Sequence, residues 1–84
     1  MSDKLKTELT VYVRSGCHLC EDMVDELQLR QASLGFSLQI VDIAGKPELE
    51  PLYGTKVPVL RHKDEEICHY FLDEVSLLRC FENR

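Results

Sequence analysis

Apolar and polar positions along the chain follow two periods in turn. Leu9-Thr10-Val11-Tyr12-Val13 alternates at period two and is rich in β-branched residues, which predicts a first strand. Ser15-Gly16 breaks the pattern. From Cys17 to about Ser33 there is no Pro or Gly, and Cys20, Met23, Val24, Leu27 and Leu34 recur at helical spacing. Glu21, Asp22, Asp25, Glu26 and Arg30 fall mostly on the opposite face, acids early and Arg30 late, as the helix dipole favours. Gly35 is the expected stop.

Phe36 to Ile43 reads as a second strand, with Leu38 and Ile40 on one face. Pro47 to Tyr53 predicts one short helix before Gly54, Pro47 suiting its first position and Pro51 limiting its regularity. A third strand opens at Val57-Pro58-Val59-Leu60. A hairpin turn is expected at Asp64-Glu65-Glu66, and a fourth strand from Ile67 to Phe71. Asp73 has the character of an N-cap for a last amphipathic helix carrying Val75, Leu77, Leu78 and Phe81.

The order β-α-β-α-β-β-α implies a right-handed parallel crossover followed by an antiparallel hairpin. No repeat, linker or low-complexity segment divides residues 1–84, so a single domain is expected. A chain of this size buries only about 60–65% of the surface it exposes unfolded. The 44% apolar and 30% charged content fits a globular protein rather than a disordered one. A net charge of −5 argues against nonspecific attraction to nucleic acid or an anionic membrane, while leaving room for a small anion at one local cation. No run approaches the ~20 apolar residues of a membrane span. Met1-Ser2-Asp3-Lys4 is followed by no apolar signal region. A cytoplasmic, reducing setting is expected, where four cysteines do not imply a structural disulfide framework.

The chemistry centres on Cys17-His18-Leu19-Cys20, between the first strand and the first helix. A helix N-terminus offers free N–H groups and partial positive charge, which favour a thiolate. Cys17 is therefore the expected reactive sulfur, with Cys20 one turn later within disulfide reach. The spacing alone suits half a zinc site equally well.

Taken with Arg14-Ser15-Gly16 before the motif, Val41-Asp42-Ile43 and Pro47-Glu48-Leu49 after it, and Tyr53-Gly54-x-x-Val57-Pro58-Val59-Leu60, the chain resembles a glutaredoxin of the thioredoxin superfamily. The likeness runs from about Leu9 to Phe81 and is greatest to a small glutaredoxin-like group with a Cys-His-Leu-Cys motif. It implies a thioredoxin fold of the α/β class. The four-stranded mixed sheet would have order 2-1-3-4, with the outer helices on one face and the middle helix on the other. It also implies a thiol–disulfide oxidoreductase with Cys17 as attacking thiolate and Cys20 as resolving thiol. No metal or organic cofactor is called for, glutathione being a co-substrate, and the partners would be protein or glutathione disulfides acting on a monomer.

By the same resemblance Pro58 matches a cis-proline facing the cysteines, which presents the Val57 backbone to an extended substrate. Arg14 matches a cation that meets a glutathione carboxylate, its alternative being a strand-end charge in water. Asp73 and Glu74 correspond to an acidic site for the γ-glutamyl amine. His18 stands where Pro is usual; its imidazolium would stabilise the Cys17 thiolate, or it is simply solvated. Where the family places Gly-Gly, this chain has His69-Tyr70-Phe71-Leu72, which would reshape the groove.

Cys68 and Cys80 sit in apolar patterns and are expected to be core residues. A different chemistry would join Cys17, Cys20, Cys68 and His69 in a zinc site, or use the motif for an iron–sulfur cluster. A third reading keeps the fold as a non-catalytic interaction module.

Overall fold

The first strand is built from the alternation described above. In the computed structural model, which describes residues 7–82, β1 (Thr7–Val13) buries Leu9 and Val11 on one face while Tyr12 points to the other. The stretch Met1 to Lys4 lies outside the described residues. Helix α1 (His18–Leu34) buries Cys20, Met23 and Leu27. It ends at Gly35, whose left-handed backbone (φ 72°) turns the chain and lets its N–H reach Gln31 O at 2.8 Å.

β2 (Phe36–Asp42) then runs parallel to β1 with Thr7 beside Phe36 and Val13 beside Asp42. The short helix α2 (Glu50–Tyr53) precedes β3 (Val59–His62), which pairs antiparallel with β1. β4 (Glu65–His69) closes a hairpin on β3, and α3 (Glu74–Glu82) finishes the fold. The sheet order is β2-β1-β3-β4, as expected from the sequence.

Leu9, Val11, Met23, Leu27, Phe36, Leu60 and Leu77 form one core cluster, so α1 and α3 share a sheet face. On the opposite face Tyr12 stacks on Tyr53 of α2, with ring centroids 4.3 Å apart. Both ends of β1's alternation are thus covered, and the end of β1 is left to feed the motif.

Three boundaries differ from expectation. Turn hydrogen bonds begin at the Lys46 carbonyl, but regular helix covers only Glu50 to Tyr53, because Pro47 and Pro51 have no N–H to extend it backwards. The third strand starts at Val59, after the Val57–Pro58 peptide bond, which is cis. The hairpin turns at Lys63-Asp64, beginning one residue earlier than expected, and β4 ends at His69 because Tyr70 adopts φ 67°. A bulge between Leu60 and Arg61 allows Ile67 and Cys68 both to pack against the core.

Candidate functional site

Gly16, at φ 77°, turns the chain from β1 into α1 and leaves Cys17 extended at the N-cap (φ −100°, ψ 111°). Its sulfur does the capping. Cys17 Sγ accepts the Cys20 N–H at 3.1 Å, and its carbonyl accepts the Glu21 N–H at 3.0 Å. Cys17 and Cys20 are joined as a disulfide with Cα atoms 5.1 Å apart. Their exposure is unequal: Cys17 is partly exposed, whereas Cys20 is 2% exposed. Only Cys17 can meet a bulky partner first. His18, the first helical residue, is exposed beside it.

The loop before the motif is tied down on both sides. Ser15 Oγ donates to Asp42 Oδ2 at 2.6 Å, and Asp42 Oδ1 accepts the Ala44 N–H at 2.9 Å. These two hydrogen bonds, Ser15 first, hold the Asp42 carboxyl below its ordinary range. Arg14 forms a two-pronged pair with Glu50, Nη2 to Oε1 at 2.6 Å and Nη1 to Oε2 at 3.1 Å, and Nη2 also donates to Gly54 O at 3.5 Å. The hydrogen bond to Arg14 lowers the Glu50 pKa, and the same contact raises that of Arg14. An open cavity of about 260 Å³ lies beside the loop, lined among others by Arg14, Cys20, Glu21, Asp25 and Asp42.

Pro58 shares this end of the sheet, because Val59 pairs with Tyr12 just before Val13 and Arg14. It is buried. The Val57 N–H donates to Tyr53 O at 3.1 Å. Tyr70 anchors the loop twice: its N–H donates to Pro58 O at 2.9 Å, and its hydroxyl donates to Thr55 O at 2.7 Å. Asp73 caps α3, Oδ1 accepting the Ser76 N–H at 3.2 Å and Oδ2 the Ser76 hydroxyl at 3.0 Å. Those contacts, the backbone one first, lower its pKa. Glu74 pairs with Arg30 of α1 at 2.8 Å.

A family model for the glutaredoxin-like domain matches residues 8–82. The chain belongs to the glutaredoxin-like domain family. Among solved structures, protein Ne2328 from Nitrosomonas europaea is 42% identical over 89% of this chain and 91% of its own, with a TM-score of 0.81. The protein XcR50 from X. campestris is 32% identical over 90% and 97%, with a TM-score of 0.72. Thioredoxin 1 from Thermosipho africanus, at 18% identity over 90% and 96%, shares the fold with a TM-score of 0.62. No curated protein matches.

Within this glutaredoxin-like domain, Cys17, Cys20, His18, Arg14, Val57 and Pro58 gather at one end of the sheet, with Asp73 and Glu74 at the head of α3. Among them Arg14, Asp73 and Glu74 already have internal partners. Cys17, Cys20, Cys68 and His69 do not converge: among the described residues no group of three or more His, Cys, Asp or Glu is placed to hold a metal. His69 instead pairs with Glu66. Among the described residues no helix is long and apolar enough to cross a membrane.

Sequence reasoning missed Glu50 and Tyr70. Glu50 lies 36 positions from Arg14 and carries no local signal. Tyr70 had one: it lies in the stretch that stands where the family uses glycine, and it adopts the left-handed conformation that glycine would supply at no steric cost.

Proposed function

We propose that this protein is a thiol–disulfide oxidoreductase working by dithiol exchange at Cys17 and Cys20. The observation that carries the reading is the partly exposed Cys17 sulfur capping α1 while joined to a buried Cys20. A sulfur that accepts a helix N-terminal N–H is stabilised as thiolate, and thiolate is the attacking and the leaving form in exchange.

In the reduced enzyme the Cys17 thiolate attacks a substrate disulfide. A Cys17–substrate S–S bond forms, the substrate S–S bond breaks, and one substrate thiolate leaves. Cys20 then gives its proton to solvent and attacks Cys17 Sγ, closing the Cys17–Cys20 bond, breaking the Cys17–substrate bond and releasing the second substrate thiolate. Two electrons pass from the dithiol to the substrate, and a thiol reductant such as glutathione restores the dithiol. The reverse sequence oxidises a substrate dithiol.

Pro58 and Val57 form the platform for the substrate chain. With the Val57 N–H donated to Tyr53, its carbonyl is the backbone group offered for strand-like pairing. His18, exposed at the first position of α1, is the side chain next in the chain to Cys17 and assists its reaction. The substrates are protein or glutathione disulfides in a reducing cytoplasm, and no metal or organic cofactor takes part.

Trapping tests this. Cys20→Ser should accumulate mixed disulfides through Cys17 with a small disulfide or a disulfide-bonded protein, seen by mass spectrometry, while Cys17→Ser should form none there. A Cys20→Ser protein that forms no adduct with either would leave the fold a non-catalytic interaction module.

A further inference from the structure

Arg14 is three residues from Cys17, on the loop that presents it, and a disulfide bearing carboxylates would be guided by a cation placed there. Here that cation is engaged from within. Glu50 grips the guanidinium by both prongs, and the Gly54 carbonyl takes a share of Nη2. The next cation along the site, Lys56 beside Val57, is likewise paired, with Glu66 at 2.9 Å. The cavity by the motif sets Arg14 against three carboxylates, Glu21, Asp25 and Asp42. The surroundings therefore disfavour an anion.

We propose that Glu50 is a specificity-determining residue acting through Arg14: its carboxylate occupies the guanidinium in place of a substrate carboxylate, so that Cys17 discriminates against anionic disulfides such as oxidised glutathione. The inference rests on the exchange reaction proposed above. A tethered carboxylate has an effective concentration of about millimolar or more, and the fold here also fixes its direction. An incoming carboxylate must displace it before gaining anything from Arg14. Glu50 is a positioning residue; it touches no reacting atom.

The test compares the second-order rate of Cys17 with oxidised glutathione and with bis(2-hydroxyethyl) disulfide, which has no carboxylate, all in the Cys20→Ser protein. Glu50→Gln should raise the glutathione-to-neutral rate ratio about threefold to fivefold, the range of an exposed ion pair. The gain should shrink at high salt, where the Debye length falls to about 3 Å. Glu50→Asp, which keeps the charge, should hold the original ratio. Adding Arg14→Met should erase the Glu50→Gln gain, whereas Arg14→Met alone, which leaves the Glu50 charge unpaired, should not raise the ratio. An unchanged ratio in Glu50→Gln, or a gain that survives the added Arg14→Met, overturns the proposal. The ratio cancels a general loss of folded protein, and Glu50→Ala, alone and with Arg14→Met, repeats the comparison should Glu50→Gln fail to fold. Reaction with neither disulfide would instead sink the exchange reading itself.

Discussion

Cys17 accepts the Cys20 N–H, and Cys68 lies where the Asp73 backbone N–H opposes the rise of its pKa, yet their surroundings pull the two sulfurs apart. Cys17 is partly exposed at the head of α1. Cys68 faces the core, where burial pushes its thiol up; the Asp73 N–H opposes this, and nearby Asp73, Glu66 and Cys80 add to it. Cys80, on α3, is pushed up in the same way, burial again leading and Glu65 following. A donor N–H alone therefore does not make a reactive cysteine. All three residues are partly exposed, so what separates Cys17 from Cys68 and Cys80 is its place as the N-cap of a long helix.

The largest way to break this contrast is Cys17→Ser. Serine is a good N-cap, so α1 should stay capped and the melting midpoint should differ little from that of the reduced protein, while reduction of a disulfide substrate is lost completely. Cys68→Ser and Cys80→Ser should leave that rate within about twofold, since neither belongs to the exchange pair. A disulfide-reduction assay on all three variants checks this, and loss of activity in Cys68→Ser would dissolve the distinction.

The second acts on burial. Leu77, fully buried in the core on α3, should cost about 2–5 kcal/mol on truncation to alanine. Cys68 and Cys80 should then be alkylated much faster under native conditions, while the alkylation pH profile of Cys17 stays put. Denaturant unfolding and residue-resolved alkylation measure the two effects together.

The third is alkaline stability. Cys68 has a raised pKa in the folded protein, so above the ordinary thiol value of 9.0 the unfolded chain binds fewer protons than the native one. Stability should accordingly fall as pH rises through and beyond that value, and the fall should be shallower in Cys68→Ser. Denaturation midpoints between about pH 8 and 10 test the sign. The smallest effect is expected from His18→Ala, which should move the Cys17 alkylation midpoint slightly upward and leave Cys68 and Cys80 unchanged. An unmoved midpoint would remove His18 from the chemistry.

What could be read beforehand was local. Gly35 as a helix stop and Asp73 as a cap follow from patterns within a few residues of each feature, and the sheet order followed from the family resemblance. The Cys-x-x-Cys at the strand-to-helix turn also announced itself. What could not be read depends on pairs far apart in the chain. The Glu50 grip on Arg14 spans 36 positions, and the Tyr70 hydroxyl reaches back 15 positions to Thr55. The fourth strand was displaced for the same reason: Ile67 to Phe71 has strand-like composition, but Tyr70 is drawn into a left-handed turn by partners on another loop.

Tyr70 has a practical consequence. Its amide is held by the carbonyl of the proline on which a substrate would rest, and its ring is moored to the same loop. A chain fastened to Val57 would steady Pro58, and with it the hydrogen bond that shields this amide from solvent exchange. The Tyr70 amide is thus a built-in occupancy gauge: slower deuterium uptake there would register a docked substrate without any label on the cysteines themselves.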